Sequence, residues 1–380
     1  MSDAKIPFNR PPILGRELDY LKEALTRRHL SGDGPFTKKC HTWLEEKLKV
    51  PAALLTHSCT AALEMSAILA NLEAGDEVIM PSYTFVSTAN AVVLRGATPV
   101  FVDCHAETMN IDETKIEEAV TKRTKAIVPV HYAGVGCEMD EILAIAKRHS
   151  LLVLEDAAQG LMADYKGKPL GTIGQLGALS FHETKNVVSG EGGALLVNDV
   201  TLRDRAEVIR EKGTNRRQFL RGQVDKYTWQ DLGSSYLPSE LIAAVLFAQL
   251  ESAKEITESR LKVWNAYHRE LAPLEERGHI TRNVVPAHCK SNAHIYFLFA
   301  KTLEERTRLA EHLKAKDIIP TYHYVPLHLA PGGKRFGRVH GSLATTEDRS
   351  DRLLRLPMWA EMTESETARV IEAVKSFYFP

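Results

Sequence analysis

Short apolar runs recur along the first half of the chain, separated by stretches whose apolar residues fall at helical spacing. The runs are Ala53-Leu-Leu-Thr56, Glu77-Val-Ile-Met80, Pro99-Val-Phe-Val102, Ala126-Ile-Val-Pro-Val130 and Leu151-Leu-Val-Leu154. Between them, Ala61, Met65, Ile68, Leu69 and Leu72 share one helical face, and residues 138–148 read as an amphipathic helix. A continuous apolar run fits a strand covered on both faces, so the alternation predicts an α/β fold with a largely parallel sheet flanked by helices. Beyond Gly193-Ala-Leu-Leu-Val197 the rhythm changes. A long helical stretch over about residues 239–271 leads to a strand at 295–299, a helix at 304–315 and a further strand at 318–321. This predicts a large domain over residues 1–250 and a smaller carboxy-terminal α/β domain over 251–380, joined by the helix rather than by a flexible linker. The amino-terminal segment is expected to pack on the small domain. No internal repeat, low-complexity tract or heptad pattern is present.

Composition narrows the function classes. With 380 residues the chain can bury a sizeable core. Its 48 Lys and Arg against 49 Asp and Glu leave no basic excess, which argues against nucleic acid or an anionic membrane as partner. Cys40, Cys59, Cys104, Cys137 and Cys289 form no CxxC pair and no zinc-like spacing, so they read as reduced thiols and no metal site is expected. Residues 1–9 lack a basic flank followed by an apolar signal core, and no apolar run approaches about 18 residues. These features predict a soluble cytoplasmic protein.

The chemistry centres on two residues. Asp156 follows the apolar run at 151–154, at the carboxyl end of a strand, where ligands of α/β sheets bind. Lys185 lies in a short polar segment after another apolar run. Pyridoxal phosphate needs a lysine amine to hold it as a Schiff base and a carboxylate to keep its ring nitrogen protonated, and this pair suits both needs. By spacing alone, Asp156 reads equally as a turn or cap residue and Lys185 as a solvated lysine. Ser58, Cys59 and Thr60 lie where a strand turns into a helix, a position that binds anions or is simply capped. Gly190-Glu-Gly-Gly193 lacks the Gly-Lys-Ser ending of a nucleotide-triphosphate loop and reads as a turn between strands, and Gly32-Asp-Gly-Pro35 reads as a turn. Arg216, Arg217, Arg221 and Lys226 could hold a pyrophosphate or form a solvated face. Residues 320–328 concentrate two histidines and two tyrosines, with no carboxylate or cysteine at ligand spacing.

The segments Pro81-Ser-Tyr-Thr-Phe-Val-Ser-Thr-Ala-Asn90, Val128-Pro-Val-His-Tyr-Ala-Gly134, Glu155-Asp-Ala-Ala-Gln159, Ser180-Phe-His-Glu-Thr-Lys-Asn186 and Gly190-Glu-Gly-Gly193 are similar, in matching order, to the DegT/DnrJ/EryC1/StrS nucleotide-sugar aminotransferases. The likeness runs from Ile6 to Pro357. Within that family, residues 211–216, 221–229 and 231–237 resemble the branch that makes dTDP-4-amino-4,6-dideoxygalactose. The resemblance implies a fold-type I aminotransferase whose large domain holds a mostly parallel seven-stranded sheet, with pyridoxal 5'-phosphate as cofactor. It implies catalytic roles for Lys185 and Asp156, Gln159 beneath the cofactor's ring oxygen, and Ser180 with Ser58, Cys59 and Thr60 at the phosphate. Phe85 is expected to stack on the open face of the ring, in preference to Tyr83. His328 matches a family position near the substrate, and Tyr322, Arg216, Arg221 and Lys226 are also expected to bind the substrate, the basic residues toward its pyrophosphate. Ser235 takes the position of an asparagine that, in many relatives, reaches the phosphate of the neighbouring subunit's cofactor, and Leu237 takes that of an arginine. A serine hydroxyl can still donate one hydrogen bond there.

The implied substrates are L-glutamate and dTDP-4-keto-6-deoxyglucose, in a homodimer with shared sites that serves synthesis of a cell-surface polysaccharide such as enterobacterial common antigen or O-antigen. A perosamine-forming transaminase would differ only in the pocket. A sugar dehydratase of the family would carry histidine in place of Lys185. A non-catalytic regulatory protein on this fold would be favoured by loss of the lysine or by an added helix-turn-helix, and neither is found.

Overall fold

In the computed structural model, which describes residues 5–379, the apolar runs become strands of an eight-stranded sheet. Strands β1 (Ala52–Thr56), β2 (Glu77–Pro81), β3 (Thr98–Val102), β4 (Thr124–Ile127), β5 (Leu152–Asp156), β6 (Leu176–Ser180) and β7 (Gly193–Val197) lie in the order β1-β7-β6-β5-β4-β2-β3. β7 is antiparallel to both neighbours and the remaining pairs are parallel. The eighth strand, beyond the seven expected, is Arg338–Val339, laid parallel to β3 by the carboxy-terminal part of the chain. Two residues are too few to leave a periodic signal in the sequence.

Successive residues of a strand point to opposite faces, and each face here has its own core. Val153 and Ile79 pack with Phe36 and Leu44 on one side, whereas Leu154, Val78 and Met80 pack with Met65 and Leu69 on the other. Both faces are therefore apolar, which is why the strands read as unbroken runs. A third core surrounds a small antiparallel sheet in which Tyr296–Phe299 lies between Thr281–Arg282 and Leu353–Leu356. The helices Ala253–Glu270, Leu303–Ala315 and Glu364–Tyr378 supply Tyr267, Leu309, Leu313, Val370 and Val374 to it. Ile6 joins the same core: its amide donates to the Asp317 carbonyl at 2.8 Å and its carbonyl accepts from the Ile319 amide at 3.0 Å.

Two sequence expectations change. The stretch over 239–271 is two helices, Glu240–Glu251 and Ala253–Glu270, separated at Ser252. The first buries Ala243, Ala244, Leu246 and Leu250 in the large-sheet core, and the second starts there with Ala253 and Ile256 before burying Val263, Trp264 and Tyr267 in the small-sheet core, so the pair carries the chain from one core to the other. Residues 318–321 form no strand, only single bridges at Ile318 and Thr321, because Pro320 between them has no amide to donate. All five cysteines are free. Among the described residues no helix is long and apolar enough to cross a membrane.

One buried carboxylate ties the first helices to the large core. Glu240 accepts from the amides of Phe36 at 2.8 Å and Thr37 at 2.9 Å, in the first turn of the helix Pro35–Leu48. Gly34 makes room for it, since a Cβ there would sit 2.5 Å from the Glu240 carboxyl carbon. Glu240→Ala strands those amides and is expected to lower the urea midpoint by the equivalent of about 2–4 kcal/mol. An unchanged midpoint would contradict this account.

Candidate active site

β5 ends in two acids whose side chains face opposite ways. Glu155 is fully enclosed: its carboxylate meets His131 Nε2 at 2.9 Å and accepts from the amides of Gly171 at 2.8 Å and of Ile173 and Gly174 at 2.6 Å. Asp156 turns to the other side, where Oδ2 accepts from the Thr88 hydroxyl at 2.7 Å and Oδ1 from the Ala158 amide at 3.1 Å. Thr88 lies on the helix Val86–Val93, which follows β2, so three segments of the large domain fix this carboxylate.

Lys185 lies in the connection between β6 and β7. That loop is folded on itself by bonds from Lys185 N to the His182 carbonyl at 2.9 Å, from Glu183 N to the Gly190 carbonyl at 2.9 Å and from Phe181 N to the Gly192 carbonyl at 2.9 Å. Burial pushes the Lys185 amine below the usual lysine range, the neighbouring Asp156 charge opposes that shift, and Arg355 adds to it. The Cys59 thiol is pushed well up by burial and by the Asp156 charge, so it is neutral at ordinary pH. Lys185 borders a cavity shared with Gln159, Ser180, Asn186, Asn292 and His294.

Of the other residues expected at the cofactor, Gln159 and Ser180 line this cavity and Cys59 lies near Lys185. Ser58 caps the helix Cys59–Leu69, accepting from the Ala61 amide at 3.1 Å, while Thr60 and Ser87 share a hydroxyl bond of 2.8 Å. β7 approaches this helix start so closely that a Cβ on Gly193 would lie 2.5 Å from the Ser58 and Cys59 backbone. Ser180 Oγ accepts from the His182 amide at 3.4 Å. Gln159 accepts from the Ala133 amide at 2.6 Å and donates to Tyr324 Oη at 3.3 Å. Of the two aromatics in the segment after β2, Tyr83 is wholly enclosed against Tyr132 and Tyr324, whereas Phe85 presents an exposed ring 6.4 Å from Tyr324.

The residues expected at the sugar nucleotide, and Ser235, expected at a cofactor phosphate, do not line the cavity. Arg216 pairs with Glu211 at 2.9 Å and Arg221 with Glu207 at 2.6 Å, and Lys226 is exposed. Ser235 is exposed and bridges to Glu211 through its backbone. Tyr322 packs under the Arg306 guanidinium at 4.0 Å and lines a separate cleft of about 510 Å³ with His323 and Tyr324. His328 is tied by Nδ1 to the Ser82 hydroxyl at 2.7 Å and by Nε2 to Glu347 at 3.0 Å, which fastens residues 326–328 to the end of β2.

Several site residues left no sequence signal. Asn186 donates to the Asn292 carbonyl at 2.9 Å and accepts the ring of His294 at 2.9 Å. Asn292 in turn donates to the carbonyls of Gln159 at 2.8 Å and Leu161 at 2.7 Å. These partners are distant along the chain, so only the tertiary fold reveals them. The identity of Thr88 as the Asp156 anchor was likewise hidden. Together, a doubly anchored carboxylate, a buried amine in its field and a helix start approached by glycine fit a planar pyridine aldehyde carrying a phosphate.

Residues 12–375 match the DegT/DnrJ/EryC1/StrS aminotransferase family. The chain is 33% identical to the GDP-perosamine synthase of Caulobacter vibrioides, with 98% of this chain and 99% of that protein covered. It is 30% identical to the GDP-perosamine synthase of Escherichia coli O157:H7, with 98% of each covered. The PLP-form structure of the putative sugar aminotransferase Spr1654 from Streptococcus pneumoniae superposes with a TM-score of 0.90 at 25% identity, covering 98% of both chains.

The lowered pKa of Lys185 carries a stability consequence. Where the unfolded chain binds more protons than the folded one, stability rises with pH. The cost of enclosing charged Lys185 is therefore larger at neutral pH than at alkaline pH, and it fades as pH climbs toward about 10.4, the ordinary lysine value. Lys185→Met is expected to raise the urea midpoint of the cofactor-free protein at pH 7, with a smaller gain at pH 10. An equal or larger gain at pH 10 would refute this.

Proposed function

The chain belongs to the DegT/DnrJ/EryC1/StrS aminotransferase family of pyridoxal-phosphate-dependent sugar aminotransferases, and we propose that it moves the amino group of L-glutamate to C4 of a nucleotide-linked 4-keto-6-deoxy sugar. The observation that carries this reading is the convergence of Lys185 and Asp156 on one buried site. Pyridoxal phosphate, when bound, supplies an aldehyde that takes up the amino group and a ring that accepts electrons from the carbon being deprotonated.

Lys185 holds the cofactor, and its freed Nζ takes the proton from the donor's α-carbon and later returns one to C4 of the sugar. Its lowered pKa favours the neutral base such transfer needs. Asp156, held by Thr88 and Ala158, keeps a fixed negative charge for the ring nitrogen. Ser58, Cys59, Thr60 and Ser180 serve the phosphate, Gln159 the ring oxygen and Phe85 the open ring face. Ser235 serves the partner subunit's cofactor phosphate. The exposed apolar side chains Phe219, Leu220, Tyr227, Trp229 and Leu232, close to it in sequence, support a homodimer that covers them. His328 positions the sugar pocket through Ser82, while Tyr322, Arg216, Arg221 and Lys226 serve the nucleotide, which must compete with Glu211 and Glu207 for the two arginines.

For the sugar itself, residues 211–237 support dTDP-4-keto-6-deoxyglucose, giving dTDP-4-amino-4,6-dideoxygalactose. The full-length similarity to two GDP-perosamine synthases favours a second reading, with GDP-perosamine as product. Incubation with pyridoxal phosphate, glutamate and a panel of nucleotide 4-keto sugars, followed by NMR of the product, separates the two. No amination of any sugar removes the proposal. Lys185→Ala is expected to abolish turnover with the fold intact by circular dichroism. Asp156→Ala should hold cofactor weakly and lose most of its rate, and wild-type kinetics in either variant would count against these roles.

A further inference from the structure

The fold dictates which nitrogen of His294 carries the ring proton. Asn186, the residue after Lys185, donates through Nδ2 to the Asn292 carbonyl at 2.9 Å, so its Oδ1 is the atom turned to His294 Nδ1, 2.9 Å away. An amide oxygen only accepts, which puts the proton on Nδ1. Burial, together with the charges of Lys185, Arg260 and Arg355, holds this ring well below the usual histidine range, so no second proton joins it. Nε2 is left as a bare acceptor, without a hydrogen-bond partner among the described residues.

The backbone fixes where that lone pair stands. The His294 amide donates to Asn292 Oδ1 at 3.0 Å, and its carbonyl accepts from Arg260 Nη2 at 2.7 Å. Before it, Ala293 takes a φ of 53°, a left-handed conformation that alanine seldom adopts, and Arg260 Nε holds the Ala293 carbonyl at 3.0 Å. His294 is 6% exposed and borders the same cavity as Lys185, Gln159 and Ser180. Lys185 Nζ likewise makes no hydrogen bond among the described residues. One cavity thus joins an unpaired donor and an unpaired acceptor. The field there is positive: Arg355 has the hydroxyls of Tyr132, Tyr324 and Tyr83 near it but no carboxylate partner among the described residues. Such a field favours a group that offers a lone pair and opposes one that takes a proton.

We propose that His294 is a positioning residue for Lys185: its Nε2 accepts an N–H of the lysine amine once that amine is released from the cofactor, and Asn186 sets this role by fixing the ring proton on Nδ1. With one N–H given to His294, the Nζ lone pair has a set direction for the proton it takes from the donor's α-carbon. The electron pair of the broken C–H bond stays on the carbon side, and Nζ becomes an ammonium. Its bond to Nε2 is then charge-assisted and stronger than before, so it lowers the barrier as the charge forms. His294 itself stays neutral throughout. The inference rests on the transaminase reading above.

Two measurements on the holoenzyme test it. Nitrogen NMR of labelled histidine, with His294 assigned by difference from His294→Gln, should show Nδ1 protonated and Nε2 bare. In single turnover with L-glutamate, His294→Leu is expected to slow the proton transfer roughly 10- to 100-fold, the worth of a hydrogen bond to a charged group. The same variant should be slowed further by α-deuterated glutamate than wild type is, while its affinity for pyridoxal phosphate stays at the wild-type level. His294→Gln, which keeps an acceptor at this place, should recover part of the rate. An Nε2-protonated ring overturns the inference, and so does an unchanged rate in His294→Leu. A loss of cofactor affinity in step with the rate, with no change in the isotope effect, marks a structural role and overturns it too. Absence of amination by wild type defeats the transaminase reading and this role with it, whereas the other outcomes leave that reading standing.

Discussion

Everything in the site depends on which way Glu155 faces. Consecutive residues of an extended strand cannot point to the same side, so anchoring one acid of the pair orients the other. Glu155 is anchored by His131 and by three backbone amides of the turn that leads into β6, which is far more than a solvent-facing acid would gather. The bond network of one carboxylate thus sets the direction of Asp156 and the path of residues 171–174. A one-residue slip of β5 would exchange the two roles and leave the site with no fixed charge.

A second set of bonds carries that rigidity toward the small sheet. Asn186, beside the lysine, is joined to Asn292 and His294, and Asn292 is joined to the backbone after Asp156. The packing is tight enough that a Cβ on Gly134 would fall 2.0 Å from Asn292 Oδ1, and Gly134 has a φ of +72° that also favours glycine. Asn186, Asn292 and His294, all three buried, therefore join the lysine loop, the floor of the cavity and the entry to the small sheet in one polar network. Such a network holds a reacting amine in position because no member can move without leaving another unpaired.

The sheet was legible in the sequence because both its faces are covered and its strands are continuous apolar runs. The acid pair at the end of β5 was legible as a location, but choosing between the two acids required the register, and Lys185 stood out only through resemblance. Polar residues gave weaker signals. Arg216 and Arg221 stand out as a basic stretch, yet Glu211 and Glu207 fold back onto them, and charge pairing across a turn is not visible as composition. Arg355 is hidden in Leu353-Leu-Arg-Leu-Pro357, which reads as a strand with one charge, and nothing local reveals that its neighbours in space carry no acid. The break at Ser252 is hidden for a similar reason, since each half has a good apolar face and only the positions of the cores show that the pair carries the chain between them.

The seat of Ile6 in the small-sheet core has a consequence for the order of assembly. The large sheet draws seven of its strands from residues 52–197, whereas the core around Ile6 needs Ile318, the strand at 353–356 and the last helix. During synthesis the segment around Ile6 is made long before its partners and must wait, unpaired, until residues 318–374 have emerged. Contacts so distant along the chain close late and slowly. The small sheet is thus expected to form last, on a large domain already in place, with the segment around Ile6 docking in its final step.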